Sequence, residues 1–197
     1  GRCETGDVHG EVPRAMSAEG LGHCEDRGGV AAWAAVSHLL APRSVAVVGA
    51  SRQRGSIGAE LLHNVVATGF RGPVYPVNPA AIELEGLAAY SSVLDIPFDV
   101  EMAVITVPAA AVLGAARECA AKGVRALVVI SAGFGEVGLE GAALQRELLG
   151  LRRQAGRRLV GPNCLGVHNT GGDLNHHATC APALPWIGPL GFVWQSR

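Results

Sequence analysis

The segment from residue 44 to residue 58 constrains the fold of this chain more than any other stretch. Residues 45–48 form an apolar, Val-rich run that ends at Gly49, and a polar loop containing Gly55 separates this run from a helical pattern that begins near Ile57. The run shows no polar alternation, which is typical of a strand buried on both faces. A buried strand, a glycine-containing loop and a helix in this order predict the first unit of an α/β domain.

The same alternation continues along the chain. Further strands are predicted at residues 72–77, 101–107, 125–131 and 157–160, and a sixth at residues 190–193 after a long loop. Helices are predicted at residues 57–68, 108–121 and 139–155. Because the strands are apolar throughout and right-handed crossovers join parallel strands, the sequence predicts an α/β fold of the Rossmann-like type, a doubly wound parallel sheet with helices on both faces.

The chain divides at about residue 40. Residues 1–40 are rich in Gly, His and charged side chains and are predicted to form an irregular leader that ends in a short helix at residues 30–40. Residues 41–197 are predicted to form one domain, in keeping with a length of 197 residues. The chain opens on Gly1 and stops at Arg197 as the last predicted strand finishes, so we expect it to be truncated before a further domain.

Composition narrows the classes of function. A formal net charge of −1 gives no reason to expect binding to nucleic acid or to an acidic membrane. The five cysteines are an odd number without a Cys-x-x-Cys pair, which argues against a disulfide framework and an ordinary zinc site. No apolar run reaches transmembrane length, and the first residues lack the pattern of a signal peptide. These features favour a cytoplasmic protein.

The loop after the first strand carries the clearest signal for ligand binding. Glycines let the backbone approach a ligand, and the free N–H groups at a helix N-terminus attract anions. Two serine hydroxyls and two arginines add donors and positive charge. The residues that make up this predicted diphosphate site are Gly49, Ala50, Ser51, Arg52, Arg54, Gly55, Ser56 and Gly58. The alternative is a tight turn with solvated arginines.

The second strand bears on which nucleotide binds. Domains that bind NAD usually place an acidic residue on the ribose about 20 residues beyond a shorter glycine motif. Here the second strand ends at Asn78 and Pro79, and the next acidic residue is Glu83. A carboxylate would repel the 3′-phosphate of coenzyme A (CoA), whereas an amide would not. The pattern counts against NAD without by itself establishing CoA.

Six stretches, in order and with consistent spacing, resemble one protein family. They are Ser-Val-Ala-Val-Val-Gly-Ala-Ser at residues 44–51, Gly-Ser-Ile-Gly at 55–58, Val-Tyr-Pro-Val-Asn-Pro at 74–79, Ala-Val-Ile-Thr-Val-Pro at 103–108, Ala-Leu-Val-Val-Ile-Ser-Ala-Gly-Phe at 126–134 and Leu-Val-Gly-Pro-Asn-Cys-Leu-Gly at 159–166. Residues 44–196 are similar to the CoA-binding portion of the NDP-forming acyl-CoA synthetases, which include ADP-forming acetate–CoA ligase. The α subunit of succinyl-CoA synthetase is a more distant relative.

The resemblance implies a role for each stretch. Gly49, Ser51, Arg52, Gly55 and Gly58 would hold the CoA phosphates, and Asn78 and Pro79 would lie by the ribose or adenine. Val107 and Pro108 would line the pantetheine path, with Ser131, Ala132 and Gly133 toward the thiol. Gly161, Pro162, Asn163 and Cys164 would sit where CoA meets the acyl-phosphate chemistry.

The resemblance also implies what the chain would lack. In the family a phosphorylated histidine of the next domain relays phosphate between nucleotide and acid, so we expect no catalytic residue in this chain. CoA or acyl-CoA would be its ligand, ATP or ADP would bind only to the complete enzyme, and the remaining synthetase domains or subunit would be its partners. Whether the chain forms a homo-oligomer is left open.

Two other functions stay open at this point. A related domain can serve as a non-catalytic CoA or acyl-CoA sensor, as in acetyltransferase fusions, and an NAD-binding domain remains the third alternative. Among single residues, the pair His176 and His177 is not expected to be catalytic or to bind metal, because adjacent side chains point in different directions. Cys164 is expected to be a packed thiol, since His168 is the one candidate base near it in the sequence and is not an obvious one.

Overall fold

The computed structural model describes residues 36–155, 157–171 and 175–181. The predicted strand at residues 190–193 and most of the predicted leader lie outside these ranges, although residues 36–40 are helical. The strands are β1 (Val45–Val48), β2 (Val74–Val77), β3 (Glu83–Leu84), β4 (Leu87–Ala88), β5 (Met102–Ile105), β6 (Ala126–Val129), β7 (Arg158–Val160), β8 (Gly166–Asn169) and β9 (His176–Thr179). Besides the helical residues 36–40, the α-helices are α1 (Ile57–Ala67), α2 (Ala109–Lys122) and α3 (Leu139–Ala155).

Five strands form one parallel sheet in the order β2-β1-β5-β6-β7. The chain leaves β1 for β2 on one side and later returns to β5 on the other side. The gap between the ends of β1 and β5 is therefore the topological switch point, where ligands of doubly wound sheets bind. The predicted sheet is confirmed. β1 has the predicted bounds, and the other four strands are shorter than predicted by one to three residues.

Apolar side chains cover both faces of this sheet. On one face Val45 and Val47 pack with Leu61 and Leu62 of α1. On the other face, alternate residues of the strands pack against the inner sides of α2 and α3. All residues of β1, β5 and β6 are buried, which explains why their sequences show no polar alternation. The predicted helices on both faces are confirmed.

An ion pair fixes the entry to β1. Glu101 is 6% exposed, and its carboxylate accepts hydrogen bonds from the backbone N–H of Arg43 at 2.8 Å and from the Arg43 Nε at 2.7 Å. Burial acts to raise the pKa of Glu101, but the hydrogen bonds and charge of Arg43 outweigh it and hold that pKa below its ordinary value. The pair therefore stabilises the junction between the N-terminal helix and the sheet.

Two antiparallel hairpins are additions to the predicted pattern. A short one, β3–β4, follows β2, and a longer one, β8–β9, occupies part of the segment predicted to be a long loop. The second hairpin packs on α1, where the Asn64 side chain donates hydrogen bonds to the carbonyl oxygens of Thr179 at 2.8 Å and Ala181 at 3.1 Å. It therefore extends the α1 face of the domain beyond the sheet.

Within the described part of the chain, no helix combines the length and apolar character needed to cross a membrane.

Candidate functional site

The loops that follow the five parallel strands meet at one edge of the sheet. Gly49 follows β1 and donates its N–H to the carbonyl oxygen of Val77 at the end of β2, at 3.0 Å. On its other side it lies against the residues after β5, so that a Cβ on Gly49 would be 2.8 Å from Thr106 Oγ1 and 2.9 Å from Val107 Cγ1. Gly49 also has a φ of +93°, which favours glycine. It therefore lies at the switch point.

Gly58 brings the first turn of α1 against this glycine. A Cβ on Gly58 would overlap the carbonyl oxygen of Gly49 and lie 3.1 Å from Thr106 Oγ1. The helix can approach the strand this closely only because neither glycine carries a side chain. This contact points the N-terminus of α1 at the edge of the sheet where the loops converge.

Ser56 caps the helix. Its backbone is extended, its hydroxyl accepts a hydrogen bond from the Ala59 N–H at 3.4 Å, and the same hydroxyl donates to the Gln53 carbonyl oxygen at 2.7 Å. Within the described residues, no hydrogen bond is assigned to the N–H groups of Ile57 and Gly58. Free donors in a first helical turn, with the helix dipole behind them, are suited to an anion such as a phosphate.

The charges around this loop have both signs. Arg52 is exposed and donates from Nη2 to the Glu83 carbonyl oxygen at 3.0 Å. Arg54 lies 3.5 Å from Glu60 and 3.9 Å from Glu85. Glu60 also accepts a hydrogen bond from the Gly55 N–H at 2.8 Å. The loop thus presents two guanidinium groups, of which Arg54 is already paired with carboxylates.

The side chain of Asn78, at the end of β2, makes two hydrogen bonds to the backbone of neighbouring loops. Its Nδ2 donates to the Ala50 carbonyl oxygen at 2.7 Å, and its Oδ1 accepts from the Ala80 N–H at 2.8 Å. The amide ties the loop after β1 to the turn after β2, while Pro79 beside it is exposed. Asn78 thus follows β2 at the edge where the loops converge, and its side chain links two of these loops.

Hydrogen bonds also link the ends of β5, β6 and β7. The Ser131 hydroxyl donates to the Val107 carbonyl oxygen at 2.5 Å, and the Ser131 carbonyl oxygen accepts from the Asn163 N–H at 3.0 Å. Ser131 is 7% exposed, whereas Asn163 is exposed and has a φ of +55°. Three residues predicted from separate strands are therefore in direct contact.

The loop after β6 contains a second carboxylate that caps a backbone donor. The Gly133 N–H donates to Glu136 Oε1 at 2.6 Å, and this hydrogen bond, first among several backbone contacts, lowers the pKa of Glu136. A Cβ on Gly133 would be 2.9 Å from that of Ala109 at the start of α2. Ala132 and Pro108 are exposed on the same edge and are free to contact a ligand.

Cys164 follows a cis Gly161–Pro162 bond after β7. Its Sγ donates to the Val129 carbonyl oxygen at 3.3 Å, and burial raises the pKa of the thiol. A thiol with a raised pKa is a weak nucleophile. The geometry agrees with the prediction of a packed cysteine.

The histidine pair lies on β9, away from this edge of the sheet. His176 is fully buried against Phe70, with ring centroids 5.5 Å apart, and His177 stacks on His168 across the hairpin. The Leu39 backbone approaches the His176 ring without completing a hydrogen bond. No cluster of three or more His, Cys, Asp or Glu side chains with metal-ligating geometry occurs among the described residues.

A cavity of about 380 Å³ opens beside α1, on the side that faces the end of β9. Arg54 and Glu60 line its end nearest the loop after β1, and Asn64, Thr68 and Cys180 line the remainder. The cavity is thus adjacent to the convergent loops but extends away from them along the helix.

Sequence reasoning missed three residues of this edge. Thr106 contacts both glycines of the first unit, and Glu60 and Glu136 each cap a glycine N–H. The signal for Glu60 was available, because an acidic residue in a first helical turn is positioned to interact with nearby backbone donors. Thr106 gave no signal beyond its place at the end of a predicted strand.

Comparisons with known proteins identify the family. Residues 43–170 match the family described as CoA binding domain. The chain is 45% identical over 161 residues to acetate–CoA ligase [ADP-forming] I of Archaeoglobus fulgidus, covering 82% of this chain and 23% of that protein. It is 44% identical over 162 residues to the alpha subunit of acetate–CoA ligase [ADP-forming] I of Pyrococcus furiosus, covering 80% and 35%.

A solved structure agrees with this assignment. The dinucleotide forming acetyl-coenzyme A synthetase 1 of Ca. Korarchaeum cryptofilum, in complex with phosphate and ADP, superposes with a TM-score of 0.70 at 41% identity. The match covers 75% of this chain and 31% of that one, so the chain spans about a third or less of the length of these relatives. The chain belongs to the CoA binding domain family, and residues 43–170 correspond to the CoA-binding portion of the ADP-forming acyl-CoA synthetases.

Proposed function

We propose that this chain binds CoA for an NDP-forming acyl-CoA synthetase that interconverts acyl-CoA, NDP and phosphate with acid, NTP and CoA. The observation that carries the proposal is the contact of Gly58 with Gly49, which directs the free N–H groups of α1 at the switch point. A diphosphate in this position would meet backbone donors, the helix dipole and the exposed Arg52. Other domains or a second subunit would supply the phosphate relay and the nucleotide.

The rest of the ligand would follow the sheet edge. Asn78 and Pro79 would border the adenosine, Val107 and Pro108 the pantetheine arm, and Ala132 with Gly133 the approach of the thiol. Asn163 would complete the far end, where its exposed side chain is available for a polar contact. In this arrangement the chain orients CoA, and no residue of the chain needs to exchange a proton or form a covalent bond.

The proposal is tested by calorimetric titration of the 197-residue chain with CoA, dephospho-CoA and NAD. We expect saturable binding of CoA, weaker binding of dephospho-CoA and no binding of NAD. Binding of NAD with no response to CoA would overturn the proposal and favour a dinucleotide-binding domain. Failure of a folded sample to bind CoA would also count against it.

A variant that removes the charge of Arg52 tests whether the loop after β1 is the phosphate site. Arg52→Gln should weaken CoA binding by about three- to tenfold, because a guanidinium near a phosphate contributes on the order of 1 kcal/mol in solvent. Arg117→Gln is the matched control, since Arg117 is equally charged and exposed. It lies in α2 and is paired at 3.8 Å with Glu147 of α3, on the face of the sheet opposite α1. Equal affinities of the two variants would exclude the loop after β1 as the phosphate site.

Catalysis is tested in the complete enzyme. Combined with the remaining synthetase domains, the chain should support formation of acyl-CoA that depends on both NTP and CoA. CoA binding by the chain without any such activity in the complete protein would favour a sensor that binds CoA for regulation.

A further inference from the structure

Glu60 uses one of the backbone donors that a phosphate at this loop would use. It is the acidic residue in the first turn of α1, and its Oε1 accepts the Gly55 N–H at 2.8 Å. The backbone of Gly55 has a φ of +84°, which turns this N–H toward the helix. The carboxylate therefore lies among the same donors and the same positive end of the dipole that attract an anionic ligand.

The same carboxylate also engages the nearest guanidinium. Arg54 Nε is 3.5 Å from Glu60 Oε1, and Arg54 Nη1 is 3.9 Å from Glu85 Oε1. His63 Nδ1 lies 3.5 Å from that Glu85 oxygen, which continues the cluster along the helix. Arg54 is thus directed toward two carboxylates of its own chain.

The cap of α1 does not need Glu60. In a capping box the acidic residue stands at the third helical position and accepts the N–H of the N-cap residue. Here Ala59 holds that position, and the N–H of the N-cap Ser56 donates instead to the Gln53 carbonyl oxygen at 3.0 Å. Glu60 is one residue further on and reaches back past the cap to Gly55. The cap itself is therefore made by Ser56 and Gln53, without Glu60.

We propose that Glu60 is a specificity-determining residue that competes, through its carboxylate, with the phosphates of the ligand. This inference rests on the proposed function, because it assumes that CoA phosphates bind at the loop after β1. Binding would break the Gly55–Glu60 hydrogen bond and release Arg54 to the ligand. Weakly charged anions would not displace the carboxylate, whereas a diphosphate that engages Arg52 and the helix donors together would do so.

The test is calorimetric titration of the full chain with CoA and with pantetheine, which lacks the phosphates. Glu60→Gln keeps the size of the side chain and removes the charge, and Glu60→Ala removes the acceptor as well. Glu147→Gln is the matched control, because it makes the same change at an exposed glutamate paired with Arg117 on the far helices. Thermal unfolding checks that each variant is folded, and Glu60→Gln carries the comparison if Glu60→Ala is not.

We expect both Glu60 variants to bind CoA more tightly than the unmodified chain, by about threefold or more. The reason is that a carboxylate near the negatively charged phosphates is removed. The control should bind CoA as the unmodified chain does, and affinity for pantetheine should be the same in all four proteins. The gain should shrink when salt is raised, as expected for a partly exposed charge. Binding of CoA by the Glu60 variants alone would also support the inference.

Three results would overturn it. If the unmodified chain binds CoA and the Glu60 variants bind it equally or more weakly, Glu60 is a structural cap, and the proposed function stands. An equal gain for CoA and pantetheine would point to a rearranged loop and would exclude competition with phosphate. If none of the folded proteins binds CoA, the proposed function fails together with this inference.

Discussion

Replacing Gly58 with alanine tests whether the close contact between α1 and β1 builds the site. The added Cβ would overlap the carbonyl oxygen of Gly49 and lie 3.0 Å from its carbonyl carbon. The obstacle is backbone that is fixed by the Gly49 hydrogen bond to β2, so it cannot rotate away as a side chain could. Gly58→Ala must therefore push the helix off the strand.

The free energy of unfolding should fall by about 2 kcal/mol. Overpacking a buried contact costs about 1–3 kcal/mol, and the upper end applies because the strand is rigid. Alanine returns about 1 kcal/mol relative to glycine in a helix. For a domain of this size, a net loss of about 2 kcal/mol lowers the unfolding temperature by about 4–8 °C. CoA affinity should fall as well, since the helix donors move.

Urea denaturation and calorimetric titration measure the two effects. Gly114→Ala is the control, because Gly114 lies in α2 and is exposed, and a Cβ there would meet no described heavy atom within 4 Å apart from the backbone of its own helix. That variant should be as stable as the unmodified chain or more stable by up to about 1 kcal/mol. A Gly58→Ala chain that unfolds at the same urea concentration and binds CoA normally would refute the argument that this contact positions the loop.

Three further predictions concern stability. Ser56→Ala should lower the free energy of unfolding in urea by about 1 kcal/mol, because the N-cap hydroxyl of α1 is lost. Burial, and then the charges of neighbouring histidines, lowers the pKa of His176 to about 4, so the unfolded chain binds a proton first and stability should fall as the pH drops from about 6.5 to 4. In His176→Leu that acid limb of a pH series of unfolding temperatures should be flatter. The pKa of Glu101 is held below 4.5, so its contribution is present above that pH and is lost as the pH falls through the lower value. Glu101→Gln should therefore destabilise the chain by about 2 kcal/mol at pH 7 and by less at pH 3, as measured by urea denaturation.

The parallel sheet could be predicted because burial on both faces leaves an uninterrupted apolar run. The hairpin β8–β9 could not, since Gly166–Asn169 and His176–Thr179 contain glycine, asparagine and histidine, which resemble a loop. Its strands are supported by contacts distant in sequence, among them the hydrogen bond from Asn64 to the Thr179 carbonyl oxygen. The hairpin β3–β4 has only two residues in each strand, too few for a periodic pattern.

The residues of the site also divide into those that the sequence predicts and those that it does not. Gly49 and Gly58 were predictable, because a strand, a glycine loop and a helix in sequence specify the backbone. The direction of a charged side chain depends on neighbours that only the fold brings together. The contacts of Arg52 with Glu83 and of Arg54 with Glu85 are examples. Glu60 is the exception, because its partners Gly55 and Arg54 lie only five and six residues before it, and its place in the first turn of α1 predicts such a contact.

Asn78 shows how one residue can satisfy two demands. In the sequence, its amide offers a neutral neighbour for the CoA 3′-phosphate. The structure gives the amide a second requirement, since it must donate to the Ala50 carbonyl oxygen and accept from the Ala80 N–H at once. An aspartate could accept but not donate, and its carboxylate would face the Ala50 oxygen. The fold alone thus favours asparagine at this position, whichever nucleotide binds, so the choice between CoA and NAD depends on family membership and on the titration rather than on the missing acid.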